Sequence, residues 1–185
     1  MPVSIEALEE RLLYFAYGAN MSSRSFIKKR GMQPQRAQRA SLENYALRFN
    51  QPGIPLIEPA FANVQEAEGQ CVEGVLYEIS KDEMRRLYRS EGGGAYNIIR
   101  VDTTTAEGEE SAYTFQAKKT RERILPSKRY LSLMLAGANE YQLSPEWIRT
   151  LHEQPCVDRH ILHAISKPVM WILSKLFALG MSAKE

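Results

Sequence analysis

Three short segments of the chain carry residue types that could bind a small polar ligand and move its protons. The first segment, Tyr14–Met21, contains the end of a predicted strand, the turn at Gly18 and then Asn20. The turn after such a strand leaves backbone N–H groups free to bind a carboxylate or an oxyanion. Glycine leaves no side chain above a ligand, and an asparagine amide both donates and accepts hydrogen bonds. An ordinary strand-to-helix turn has the same local features, so this segment alone assigns no activity.

The second and third segments supply a carboxylate and a phenol. Leu87–Gly94 places Glu91 at the predicted end of a helix, just before three glycines. The helix dipole disfavours a negative charge at that end, which favours a carboxyl group that takes up and returns a proton. Pro126–Leu143 places Tyr130 in the first turn of another helix. A solvated glutamate and a core aromatic are the plainer interpretations of these two residues.

Residues that commonly bind metals or act as nucleophiles form no recognisable pattern. Cys156, His152, His160 and His163 fit no standard zinc spacing, and no fourth ligand is evident. The chain also lacks the G-x-S-x-G motif of hydrolases and the glycine motifs that bind nucleotides. We therefore predict neither a metal site nor a bound cofactor.

The elements that must position these residues are short strands with a few helices between them. The predicted strands are Leu12–Tyr17, Tyr45–Asn50, Phe61–Val64, Val72–Ile79, Tyr96–Thr105 and Ala112–Ala117, with a loop at Gln51–Pro59 and a second break at Glu66–Gln70. Helices are predicted to begin at Ser22 or Ser23 (ending at Gly31), at Ser80 (ending near Ser90), at Pro126-Ser127 (ending near Gly137) and at Ser144. This pattern predicts an α+β domain around a mixed, mostly antiparallel, closed or nearly closed sheet.

Composition limits the class of protein without naming an activity. The 185 residues are 44% hydrophobic and 25% charged, which excludes a disordered tail, a collagen and a coiled coil. The two cysteines, Cys71 and Cys156, exclude a disulfide scaffold and are expected to be reduced, buried thiols of a cytoplasmic protein. The N-terminal segment lacks the features of a secretory signal. A net charge of +2 does not favour a nucleic-acid partner.

Charge is distributed unevenly along the chain. Residues 11–42 contain no acid but carry seven basic residues: Arg11, Arg24, Lys28, Lys29, Arg30, Arg36 and Arg39. A solvated face is the plainer interpretation. The alternative is a positive field beside a site for an anionic ligand.

A strongly apolar segment, Val169–Leu179, follows Pro168 and is shorter than a membrane span. We expect an extra apolar C-terminal helix in an extension of residues 156–185, after a domain of residues 1–155. Packing on its own domain, a homodimer contact and a peripheral membrane contact, with nearby lysines on anionic headgroups, remain open alternatives.

Together, and in this order, the three segments resemble the γ-glutamylcyclotransferase family. YFAYGAN resembles the Y-F-A-Y-G-S-N signature of that family, and LYRSEGG resembles the Leu-x-x-x-Glu-Gly segment that carries its catalytic glutamate. PSKRYLSLMLAGANEYQLSPEW resembles the Pro-Ser-x-x-Tyr segment and the helix after it. The resemblance extends from Tyr14 to Leu151.

The resemblance implies a small barrel flanked by helices, no cofactor, and conversion of a γ-glutamyl amino acid to 5-oxoproline and a free amino acid. It implies that Glu91 is the acid/base. The residues it implies for substrate binding are Tyr14, Phe15, Ala16, Tyr17, Gly18, Ala19, Asn20, Tyr96 and Tyr130.

Three residues depart from the family pattern. Ala19 stands where the family commonly has serine, and Arg89 and Ser90 replace the usual residues before the glutamate. These departures bear on substrate choice, so a γ-glutamyl-amine or a γ-glutamylated biosynthetic intermediate is an alternative substrate. A second alternative is a non-catalytic binding protein that uses its C-terminal segment to contact a partner or a membrane.

Overall fold

Six strands, three α-helices and several short helical turns form the part of the chain that the computed structural model describes, residues 2–92 and 94–158. The strands are β1 Pro2–Val3, β2 Arg11–Ala16, β3 Arg36–Ile54, β4 Glu58–Ser80, β5 Tyr96–Thr105 and β6 Gly108–Ala117. The α-helices are α1 Lys81–Ser90, α2 Lys128–Glu140 and α3 Pro145–Glu153. A 3₁₀ turn at Ile5–Ala7, a 3₁₀ turn at Ala19–Met21 and a π-helix at Arg24–Lys29 complete the order.

The strands close into a barrel. Their order is β5-β3-β4-β2-β6, and pairing of β6 with β5 completes the circle, while the two-residue β1 extends β5. All neighbours are antiparallel except β2 and β6, which are parallel and pair at Tyr14 and Tyr113. The predicted fold, a small, mostly antiparallel barrel flanked by helices, is confirmed.

The long hairpin of β3 and β4 corrects two sequence predictions. Phe61–Val64 and Val72–Ile79 are not separate strands, because β4 runs without interruption for 23 residues. The stretch Gln51–Pro59 is not an open loop either, since Gln51 pairs with Phe61 and Ile54 with Glu58. Prolines and exposed polar residues hide the alternating pattern of a strand, and bulges between Glu43 and Tyr45 and between Arg48 and Gln51 interrupt it further.

The helix predictions are largely confirmed. Ser80 and Glu83 form the expected capping box of α1, and Ser144 caps α3 with Pro145 in its first turn. At the π-helix, the hydroxyl of Ser23 makes no capping hydrogen bond, so that predicted cap is wrong. The α2 helix continues past its predicted end to Glu140.

The reason α2 contains a glycine is close packing, not helix termination. A Cβ atom on Gly137 would lie 2.6 Å from the backbone of Met21 and Ser22. The helix therefore lies directly against the 3₁₀ turn at Ala19–Met21. The hydroxyl of Tyr77 donates a 2.8 Å hydrogen bond to the carbonyl oxygen of Met21 and holds the same turn from the barrel side.

We expect Gly137→Ala to lower the free energy of unfolding by about 2 kcal/mol. The new methyl group meets backbone atoms at 2.6 Å and must displace the turn, at a cost of about 3 kcal/mol. The higher helix propensity of alanine offsets about 1 kcal/mol of that cost. Urea denaturation measures the change. Ser132→Ala, on the exposed side of the same helix, is the control and should change stability by no more than about 0.5 kcal/mol. Equal stability of both variants would contradict the packing account.

The structure also answers the prediction for the two cysteines. Cys71 and Cys156 are free thiols, but both are exposed, so the prediction that they are buried is wrong. In the described residues, no helix is long and apolar enough to cross a bilayer. The predicted apolar helix at Val169–Leu179 lies outside the described residues, and the domain boundary after residue 155 stays a prediction.

Candidate active site

A cavity of about 1010 Å³ lies where the end of β2 meets the C-terminus of α1, the tip of the β3–β4 hairpin and the first turn of α2. It is lined by most of the residues that the sequence predicts for the site: Tyr14, Tyr17, Gly18, Ala19, Asn20, Glu91, Tyr96 and Tyr130. Phe15 and Ala16 do not line it. Both are fully buried in the barrel wall.

Glu91 is the residue that follows α1, and its carboxylate is held at one oxygen. Its Oε1 accepts a 3.0 Å hydrogen bond from the Asn20 side chain and lies 2.6 Å from Nη2 of Arg30. Arg30 also donates to the hydroxyl of Ser90. No hydrogen bond to Oε2 of Glu91 is found in the described residues. One carboxylate oxygen is thus fixed by an opposite charge and an amide, while the other can face a ligand.

Asn20 connects the turn to the carboxylate. The residue is 8% exposed, and its Nδ2 also donates a 3.2 Å hydrogen bond to the hydroxyl of Tyr14. The Tyr14 hydroxyl therefore accepts from Asn20 and retains its own proton for a ligand. The Oδ1 of Asn20 is buried and has no hydrogen-bond partner within the described part of the chain. A buried acceptor without a donor is costly, so this oxygen suits a ligand N–H group.

Gly18 leaves the space that the hydroxyl of Tyr130 occupies. A Cβ atom on Gly18 would lie 2.7 Å from the hydroxyl of Tyr130, which accepts a 3.3 Å hydrogen bond from the Ala62 backbone N–H. The φ angle of Gly18 is −110°, which other residues also adopt. A positive φ therefore does not account for glycine at this position. Its role is to permit the close approach of Tyr130.

The tyrosines around the cavity are neutral donors at physiological pH. Burial raises the pKa of Tyr130 to about 12, although the Ala62 amide acts in the opposite direction. Burial also raises the pKa of Tyr14, Tyr17 and Tyr96 above the usual value for tyrosine. The Tyr17 hydroxyl donates a 2.6 Å hydrogen bond to the Phe115 carbonyl, so it supports the wall of the site.

These pKa directions predict a loss of stability at high pH. Folded phenols keep their protons at a pH where the phenols of the unfolded chain, with pKa values of about 10, release them. Above pH 10 the unfolded state therefore binds fewer protons, and the free energy of unfolding falls as pH rises from 10 towards 12, by up to ~1.4 kcal/mol per pH unit for each such tyrosine. Urea denaturation across pH 8–12 measures it. Tyr130→Phe should show a shallower fall than the wild type, whereas an equally steep fall would contradict the pKa direction of Tyr130.

Sequence reasoning missed several residues of the cavity. Arg30 belongs to the basic stretch noted above, so an anion-binding interpretation of that stretch would have found it. Glu58, 4% exposed, accepts hydrogen bonds from Ser127 at 2.6 Å and from Arg129 at 2.7 Å. Gln51 also lines the cavity. No local signal marks Gln51, Glu58 or Arg129, because only the closure of the barrel brings the hairpin tip to α2.

The chain resembles known proteins in both sequence and fold. Residues 71–151 match the model of the AIG2-like family. The chain is 30% identical over 148 residues to a γ-glutamylcyclotransferase of Bos taurus, covering 77% of this chain and 78% of that protein. It is 32% identical over 148 residues to the γ-glutamyl cyclotransferase gliK of Claviceps purpurea, covering 73% of this chain but only 66% of the relative. A solved structure named γ-glutamyl cyclotransferase superposes with a TM-score of 0.70 at 26% identity, over 80% of this chain and 90% of that one.

Proposed function

The chain belongs to the γ-glutamylcyclotransferase family, and from this we propose that it converts a γ-glutamyl amino acid or amide to 5-oxoproline and the free amine. The observation that carries the proposal is that Glu91 and the Gly18–Asn20 turn line one cavity and are joined by the 3.0 Å hydrogen bond from Asn20. A single small ligand can therefore contact the carboxylate and the turn together.

The substrate supplies its own nucleophile in this reaction. Its α-amine attacks its γ-carbonyl carbon, a C–N bond forms in a five-membered ring, and the bond from that carbon to the leaving nitrogen breaks. No water is consumed. Holding the substrate in the ring-closing shape can lower the barrier by roughly 7–11 kcal/mol. The buried walls of the cavity, with Tyr14, Tyr96 and Tyr130, are suited to that task.

Glu91 moves the proton. Its free Oε2 takes a proton from the α-amine and returns it to the leaving nitrogen, a role worth ~10²–10⁴-fold in rate. Arg30 and Asn20 hold Oε1 and so orient the carboxylate. The developing oxyanion and the α-carboxylate accept hydrogen bonds from the neutral phenols and from backbone N–H groups of the Gly18–Asn20 turn.

Arg30 is proposed as a positioning residue for Glu91. Arg30→Gln removes a charge-assisted contact and is expected to lower kcat/KM by about 10–100-fold. Lys28→Gln, on the π-helix that Arg30 directly follows, is exposed and outside the cavity; it is the matched control and should keep the wild-type value. If Arg30 acts through Glu91, the Arg30→Gln/Glu91→Gln double variant should be no slower than Glu91→Gln alone. Additive losses would contradict that role.

The activity itself is tested with purified protein and γ-glutamyl-alanine in ¹⁸O-labelled water. Mass spectrometry should detect 5-oxoproline and alanine in equal amounts, with no ¹⁸O in the 5-oxoproline. Labelled glutamate as the product would show hydrolysis and overturn the cyclisation mechanism.

A further inference from the structure

The cavity extends well beyond the residues proposed to hold the glutamyl group. Binding sites for drug-sized ligands measure ~300–1,000 Å³, and this cavity, at about 1010 Å³, is at the upper end. The part formed by the hairpin and α2 is called here the far end and is lined by Gln51, Pro52, Ile54 and Phe61 of the β3–β4 hairpin and by Arg129 of α2. The hydrogen bond and ion pair of the Glu91 carboxylate are made with Asn20 and Arg30, not with these residues. If the glutamyl group lies beside Glu91, the amine half of the substrate has to extend into this space.

The far end has an apolar wall. Pro52, Ile54 and Phe61 line it, and Ile54 is 43% exposed although it is a large hydrophobic residue. The ring of Phe61 lies edge-on to that of Tyr130 with centroids 5.3 Å apart, so the apolar wall continues to the proposed glutamyl end. Covering such a surface favours a ligand with an apolar body.

Gln51 adds a specific polar requirement. The residue is 7% exposed, and its Oε1 is buried with no hydrogen-bond partner among residues 2–92 and 94–158. Its Nε2 reaches only the carbonyl oxygen of Pro52, at 3.5 Å. A buried acceptor without a donor is rare in folded proteins. Because Gln51 lines the cavity, a ligand N–H group is the donor that fits.

We propose that the far end is a subsite for the amine half of a γ-glutamyl peptide, with an apolar side chain on Ile54 and Phe61 and a peptide N–H donating to Gln51. This inference rests on the proposed function and narrows its substrate class. A single small amino acid as the amine half leaves the apolar wall uncovered and Gln51 without a donor. A peptide of two or more residues satisfies both.

The test compares γ-glutamyl-alanine with γ-glutamyl-alanyl-leucine, and with an ester analogue that replaces the alanyl–leucine N–H by oxygen. For the wild type, we expect kcat/KM for the peptide to exceed that for γ-glutamyl-alanine by about tenfold or more. The ester should lose most of that advantage, as should the peptide with Gln51→Leu. Leu56→Ser, at the 63% exposed tip of the same hairpin but outside the cavity, should keep the wild-type ratio.

Failure of the subsite and failure of the proposed activity give different results in this test. Equal kcat/KM for the peptide and γ-glutamyl-alanine, with 5-oxoproline formed from both, would overturn the subsite and leave the proposed function standing. If no substrate yields 5-oxoproline, the proposed function fails, and calorimetry still decides the subsite. In that case, a Kd for the peptide that is about tenfold lower than the Kd for γ-glutamyl-alanine supports the subsite, and equal Kd values overturn the subsite.

Discussion

Glu91→Gln is expected to lower the rate of 5-oxoproline release by ~10²–10⁴-fold while leaving the fold intact. Glutamine has nearly the shape of glutamate, and its side-chain oxygen can still accept the hydrogen bond that Asn20 donates to Oε1 and lie beside the Arg30 guanidinium. What it lacks is a basic oxygen that can take the proton of the α-amine. The loss should therefore fall on kcat, since the contacts that bind the substrate remain.

The measurement is a time course of 5-oxoproline by mass spectrometry at saturating substrate, with thermal unfolding as a check on folding. Glu109→Gln removes the same charge at an exposed position on the β5–β6 hairpin, outside the cavity. It should retain the wild-type rate. A Glu91→Gln protein as fast as Glu109→Gln would show that the carboxylate does not transfer the proton.

Gly18→Ala is expected to lower the rate by about 100-fold, because misplacing a catalytic contact by about 1 Å has an effect of that size. The new Cβ atom would lie 2.7 Å from the Tyr130 hydroxyl, which must then move. That shift also disturbs the hydrogen bond from Ala62. A fall in the free energy of unfolding by about 1–3 kcal/mol should accompany the loss of activity.

The double variant Gly18→Ala/Tyr130→Phe separates the two effects. Without the hydroxyl, the Tyr130 atom nearest to the added Cβ would be Cζ at 3.9 Å, an ordinary contact distance. We therefore expect the double variant to regain most of the stability that Gly18→Ala loses, measured by urea denaturation. The rate should stay low, because the phenol that donates to the substrate is gone. Recovery of the rate together with the stability would show that the Tyr130 hydroxyl has no part in the reaction.

Local signals in the sequence predicted those parts of the site that depend on neighbouring residues. The capping box of Ser80 and Glu83 fixes where α1 begins and hence the position of Glu91 at its end. Tyr130 is in the first turn of α2 because Ser127 caps that helix. These interactions span three residues and leave a pattern that can be recognised without the structure.

The remaining parts of the site depend on contacts between distant segments. Arg30 and Glu91 are 61 residues apart in sequence, and Glu58 and Arg129 are 71 apart. A family motif also names a segment, not the direction of its side chains, which is why Phe15 was expected in the site but lies in the barrel wall. The close approaches at Gly18 and Gly137 likewise become visible only once the turn, the helix and the barrel are assembled.

A crystal structure with 5-oxoproline bound would show whether Glu91 and the Gly18–Asn20 turn act on one ligand, because the product carries both the ring and the α-carboxylate. We expect the ring inside the cavity, with its carboxylate on the backbone N–H groups of the Gly18–Asn20 turn. The ring nitrogen should lie within about 3.2 Å of the Glu91 carboxylate. A ring bound away from the turn, or a Glu91 carboxylate beyond reach of the ring nitrogen, would rule out the proposed role of Glu91 and the turn.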